Sequence, residues 1–197
     1  VFCAPASYAL ARFEFRGNRL IQAVLVASMS VPAIMVILPL FQIIARAGIM
    51  NSITANKIAL IFLYIGTKVA YTTIFLSNFF SGISYGYEEA AAIDGCSAVR
   101  TFWQIMLPMA KSGIATVSIF NFLGTWNEYF MSLIMAGSEK VKPIAVGLYS
   151  MINSMKYTGN WPGMFAAVVI VTLPCLILYF CLSEKIIGGI SAGGMKG

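Results

Sequence analysis

Four predominantly apolar stretches, residues 20–44, 58–80, 114–136 and 165–182, divide this 197-residue chain. At 1.5 Å of rise per residue, each is long enough as a helix to cross a hydrocarbon layer of about 30 Å. A further apolar run, 1–10, is too short to span and has no basic stretch before it. It reads as the end of a transmembrane helix that begins upstream, not as a cleaved signal. Pro32 and Pro39 fall inside the first full run and Pro174 inside the last. Each predicts a kink, tolerable where neighbouring helices or water satisfy the freed carbonyls.

The connections are polar to different degrees. Residues 12–19 hold three Arg and one Glu, 45–57 are short and mild, and 137–164 are rich in Gly, Asn and Lys, with a short helix expected at 144–154. The tail "GGISAGGMKG" reads as a loosely ordered end. Residues 81–113 are the exception, since a loop of that length between spans is either functional or disordered. Residues 88–93 are strong helix formers, two Glu, three Ala and one Ile. Asp94-Gly95 then breaks the run, because Gly accepts a left-handed turn. Ser97 is a suitable N-cap for a second helix. In that helix Val99, Phe102, Trp103 and Met106 fall at i, i+3, i+4 and i+7 and predict one apolar face, and Pro108 ends it. An interfacial helix lying on lipid explains Phe102 and Trp103 but not an acidic start, which anionic lipid repels.

Composition agrees with a membrane protein. The chain is 59% apolar and 10% charged, against about 25% charged in soluble domains, and its mean hydropathy is +0.85. The net charge of +6 comes from scattered Lys and Arg with no dense basic run, so nucleic acid is not an expected partner. Lys/Arg bias places Arg12, Arg16, Arg19, Arg100, Lys111, Lys185 and Lys196 on one side, against Arg46, Lys57, Lys140, Lys142 and Lys156 on the other. Seven against five favours the cytoplasm for the 81–113 segment and the C-terminus. There is no His, and the four Cys form no CxxC, so neither a metal site nor a disulfide framework is expected.

The segment 81–113 also carries a motif. Glu89-Ala90-Ala91 is followed by three residues, Gly95, nine residues and then Ile105-Met106-Leu107-Pro108. This resembles the EAA loop of ABC importer permeases, E-A-A, x3, G, x9, I-x-L-P. "ASYALARFEFRGNR", "GTWNEYFMSLIM" and the Gly-rich end look like the carbohydrate, maltose-type branch, so the resemblance covers essentially the whole chain. One departure is Ser112, where the family often has a second Pro.

The resemblance implies an all-α membrane protein, a polytopic helical bundle of the type I importer permease kind. About four full transmembrane helices and a partial one lie in this chain, as a single permease domain over 1–197. It implies that 81–113 is a cytoplasmic coupling loop, with Glu89, Ala90, Ala91, Asp94, Gly95, Ile105, Leu107 and Pro108 meeting an ATPase subunit. It further implies a cytoplasmic ABC ATPase dimer, a second permease subunit in a heterodimer and an extracytoplasmic sugar-binding protein, in the cell membrane. The chain has no G-x-x-x-x-G-K-[ST], so ATP and Mg are expected only on the partner ATPase, with no cofactor here.

Lys68 and Glu128 are charges within apolar runs, about 15 and 12 Å from the outer ends of their spans, and such groups mark a pair or a path. With Trp126 and Asn127 they suit a translocation path for sugar: a ring stacks on the apolar face, and amide and carboxylate bond hydroxyls. Two readings stay open, that path and a structural role for Glu128 with Lys68 snorkelling. An ion-coupled secondary transporter is the alternative function, but it leaves the Ala-rich loop unexplained. An enzyme lacks clustered catalytic groups, and a channel lacks a pore-lining motif.

Overall fold

The computed structural model describes residues 2–194, and beyond Cys181 the backbone alone. All regular structure among the described residues is helical. Eleven α-helices can be named in chain order: α1 (Cys3–Arg12), α2 (Asn18–Met29), α3 (Ala33–Arg46), α4 (Ile53–Gly82), α5 (Gly86–Ile93), α6 (Ala98–Thr101), α7 (Leu107–Met109), α8 (Lys111–Trp126), α9 (Phe130–Met135), α10 (Ile144–Thr158) and α11 (Trp161–Gly194). A π-helical turn, Phe102–Met106, joins α6 to α7.

The expected spans are corrected in three places. The run 20–44 is two helices, because Pro32 is extended (φ −61°, ψ 126°) and has no N–H to continue the ladder of α2. Pro39 sits within α3 without ending it. The run 114–136 is also broken: α8 stops at Trp126 and α9 begins at Phe130, with Asn127–Tyr129 between them. The Gly-rich stretch expected as a loose tail continues α11 to Gly194, since no Pro or polar cluster stops it, while 195–197 lie outside the described residues. The run 58–80 is met by the 30-residue α4, and the short helix expected at 144–154 is α10. Lys185 and Lys196, counted above for orientation, are outside the described side chains.

Two helices, Ile53–Gly82 and Trp161–Cys181, are long and apolar enough to cross a membrane, and the number rises to four if two bent pairs, Asn18–Met29 with Ala33–Arg46 (92°) and Ala98–Met109 with Lys111–Trp126 (69°), each count as one span. The most apolar window of Trp161–Cys181 has a mean hydropathy of 2.5 and none of it is buried within the chain. In α2 no residue is buried, and Leu20, Val24, Leu38, Phe62 and Phe165 are all exposed. Apolar surface of that extent is compatible with lipid as the surrounding medium, not water.

The chain divides into two compact units. The first contains, among the described residues, 2–30 and 68–120 with the helix end after 182. Its core is built from Tyr8 of α1, Phe79 and Phe80 of α4, and Phe102 and Met106 of the π turn. The Tyr8 ring meets Phe80 edge-on at 5.5 Å and Phe102 at 5.1 Å, arrangements that add to area burial. The buried Ser7 hydroxyl donates to the Thr73 carbonyl at 2.9 Å, tying α1 to α4. Gly113 opens α8 directly over Phe79: a Cβ there would lie 2.5 Å from the ring.

The second unit comprises Val31–Thr67 and Asn121–Cys181. Ile37, Ile44, Leu60, Met131 and Met135 form its core. Buried Asn56 clamps the end of α9: its Nδ2 donates to the Met135 carbonyl and its Oδ1 accepts from Gly137 N–H, both at 2.9 Å. Trp126 Nε1 donates to the Val171 carbonyl at 3.1 Å.

Candidate functional site

The segment 81–113 is ordered by its own chemistry. Glu88 and Glu89 stand in the first turn of α5, where carboxylates complement the helix dipole. The helix closes on Gly95 at φ +74°, with Gly95 N–H bonded to Ala92 O at 3.1 Å and Cys96 N–H to Ala91 O at 2.9 Å. Those two bonds make a Schellman ending, which requires a left-handed residue. Ser97 then caps α6 by accepting from the Arg100 N–H at 3.4 Å, as its sequence position predicts.

The single apolar face expected for Val99, Phe102, Trp103 and Met106 is split. Phe102 and Met106 are buried in the core, while Val99 and Trp103 are 68% and 55% exposed. The buried stripe is narrower than the pattern assigns, and it runs through a π turn closed by Leu107 N–H onto Phe102 O, whose i→i+5 bonding departs from the 3.6-residue period. Pro108 does not end the helix either. It lies in the first turn of α7, where its missing N–H costs little, and the turn closes at Ala110.

The outcome is a segment with two sides. Ala91 is 2% exposed and packs inward, whereas Ile93 is 87% exposed, and Glu89, Ala90, Asp94 and Gly95 are exposed with it. Ile105 and Leu107 are half-buried against the core and Pro108 is exposed. Two carboxylates, Glu89 and Asp94, and three large apolar side chains, Ile93, Val99 and Trp103, are thus exposed along the segment.

Sequence reading missed what holds α5 in place. The Tyr8 hydroxyl donates to Glu88 Oε1 at 2.5 Å, and Arg12 Nε lies 3.0 Å from Glu88 Oε2. Arg12 Nη2 donates to the Ile83 carbonyl at 2.6 Å, and the guanidinium sits 4.1 Å over the Tyr85 ring. The Arg12 side chain is 2% exposed and that of Glu88 18%. The available signal was an adjacent Glu pair on a helix: successive residues turn by about 100°, so the two carboxylates cannot share one environment.

The second candidate group sits at the break between α8 and α9. Glu128 is not a mid-helix charge but the cap of α9: its Oε1 accepts from Met131 N–H at 2.6 Å, and its Oε2 accepts from Ser132 N–H at 3.1 Å and Ser132 Oγ at 2.6 Å. The Tyr64 hydroxyl adds a bond to Oε2 at 3.1 Å and touches Ser132 Oγ. Trp126 stacks on Phe122 at 5.4 Å, and Asn127 is exposed. Lys68 is half-buried on α4 and makes no ion pair or hydrogen bond among the described residues. Tyr64 and Ser132 therefore hold Glu128, roles that no spacing signalled. Among the described residues no group of three or more metal-ligating side chains lies together.

Long apolar helices, largely exposed and in places broken at short turns, make this an all-α membrane protein. The chain belongs to the family of binding-protein-dependent transport system inner membrane components, whose model matches residues 4–187. It is 36% identical, over 98% of its length, to the diacetylchitobiose uptake system permease protein NgcG of Streptomyces coelicolor, of which it covers 63%. It is 30% identical to the sulfoquinovosyl glycerol transport system permease protein SmoH of Agrobacterium fabrum, covering 98% of this chain and 65% of that one. The chain thus spans less than two thirds of the length of these relatives. Among solved structures it resembles a chain of a bacterial ABC transporter involved in the import of the acidic polysaccharide alginate. The TM-score is 0.74 at 25% identity, over 93% of this chain and 67% of the other.

Proposed function

We propose that this chain is a transmembrane subunit of an ATP-driven importer that brings a sugar or oligosaccharide into the cell, driven by a separate ATPase docked on 81–113. The observation that carries the reading is the outward side of that segment. Ile93, Val99 and Trp103 are exposed on the same segment as Glu89 and Asp94, whose backbone turns at Gly95. A mixed acidic and apolar surface is poorly suited to anionic lipid and well suited to a protein cleft with basic groups. The relatives named above, with sugar-derived cargoes in two of their names, support a carbohydrate substrate.

In this reading Glu89, Ala90, Asp94 and Gly95 face the ATPase, Ala91, Ile105 and Leu107 shape the segment from within, and the exposed Pro108 closes its docking surface. The ATPase is a dimer that uses ATP and Mg. A second permease subunit completes the membrane path, and a sugar-binding protein delivers cargo from outside. Segment 81–113 and the C-terminus face the cytoplasm. Trp126 and Asn127 border the path, with Glu128 fixing the break that presents them, and Lys68 of α4 is a further path candidate in its own unit.

The test is to purify the tagged protein from its native membranes in nanodiscs and identify what accompanies it by mass spectrometry. Co-purification of a P-loop ATPase and a second permease is expected. Gly95→Asp, which forces a side chain into φ +74°, is expected to insert normally and lose the ATPase. An ATPase-free complex from the unaltered protein overturns the reading in favour of ion-coupled transport.

A further inference from the structure

Resting on the coupling reading, the geometry points to Arg12, Glu88 and Tyr8 as a positioning lock that makes α1 and α5 move as one body when the ATPase displaces the coupling segment. Three groups, from α5 and from the connection before it, converge on one guanidinium. Arg12 belongs to α1; Glu88 belongs to α5; the Ile83 carbonyl follows α4; the Tyr85 ring precedes α5. Tyr8, one turn before Arg12, bonds the same carboxylate and is itself packed on Phe80 and Phe102. Any displacement of α5 must therefore carry the end of α1 with it or break a buried ion pair.

The cluster is not arranged for stability alone. Arg12 Nε and Nη1 and Glu88 Oε2 are buried without an aligned hydrogen bond, although the Nε to Oε2 approach is close. A buried pair with such unsatisfied atoms is commonly no more stable than an apolar pair of similar volume. What the cluster has that an apolar contact lacks is direction, supplied by the Tyr8 hydroxyl on Glu88 Oε1 and by Arg12 Nη2 on the Ile83 carbonyl, charge-assisted bonds that hold one geometry and fail over short displacements. The neighbouring carboxylates thereby divide two tasks: Glu89 faces the partner, and Glu88 passes the partner's motion to α1.

The experiment uses the assembled transporter in nanodiscs, without native thiols, spin-labelled at Ala6→Cys on α1 and Ala92→Cys on α5, both exposed positions. Interspin distances are measured at rest and after trapping with ATP and vanadate. With the lock intact, one narrow distance that is the same in both states is expected. With Arg12→Met and Glu88→Leu together, a second distance is expected on trapping, with an unchanged melting temperature. That separates positioning from packing, because a merely structural pair would lower the melting temperature and add no distance. If the apolar pair does not assemble, Glu88→Gln is read in its place, with the same second distance expected. A distance that shifts with the lock intact, or variants that keep one distance, overturns the lock alone. Failure of the unaltered chain to bind any ATPase overturns the coupling reading and the lock together.

Discussion

Glu88 and Glu89 are adjacent in sequence and opposite in use. Glu88 turns inward, accepts from the Tyr8 hydroxyl at 2.5 Å and pairs with Arg12, while Glu89 is exposed. The helical rotation of about 100° per residue separates them, and the fold of α1 against α5 decides which carboxylate is held.

Glu128 is a helix cap first, so its replacements separate structure from transport. Glu128→Ala removes acceptors for Met131 N–H, Ser132 N–H and the Tyr64 hydroxyl. A destabilisation of about 1–2 kcal/mol is expected, the ordinary cost of losing a cap. Glu128→Gln keeps a carbonyl acceptor and is expected to retain uptake and melting temperature within error. Lost uptake at unchanged melting temperature would instead place the carboxylate's charge in the path.

Asn56 is 1% exposed and answers both the Met135 carbonyl and the Gly137 N–H. Asn56→Leu strands the buried Met135 carbonyl, at about 1–3 kcal/mol, and removes the acceptor of the part-buried Gly137 N–H. Thermal unfolding in nanodiscs should show a clear fall in the midpoint. Gly137→Ala at the same joint should behave alike, because its Cβ would lie 2.9 Å from the Met50 carbonyl oxygen.

Gly113 and Phe79 make a complementary pair. Gly113→Ala sets a methyl 2.5 Å from the Phe79 ring, so something must shift. Overpacking of this kind costs about 1–3 kcal/mol. Phe79→Leu alone should also destabilise, by shrinking a buried ring in the core. Together the two changes should cost less than their sum, a coupling that a double-mutant cycle on melting data reads directly. Strict additivity would mean that the close approach carries no energy.

Much of this protein was legible from residue order, because the signals concerned were local. Runs of apolar residues set the helical membrane class, a medium in which exposed apolar side chains cost nothing. Asp94-Gly95 and Ser97 placed the turn and the cap, since a left-handed glycine and an N-cap act within a few residues. The spacing from Glu89 to Pro108 carried the family resemblance, and the family match over 4–187 agrees with it. What the chain's order did not display depended on partners far along it. Glu128 looked like a charge stranded in a span until Ser132 and Tyr64, the latter 64 positions away, were found around it. Glu88 found Tyr8 across 80 positions, and Asn56 found Gly137 across 81. Val99 and Trp103 are exposed while Phe102 and Met106, assigned to the same face by a 3.6-residue period, are buried. A hydrogen bond or ion pair is set by where two segments meet, and periodicity within one segment carries no record of the other. Local conformation was therefore determined by the sequence read along its length, and the pairing of buried polar groups was decided only by tertiary packing.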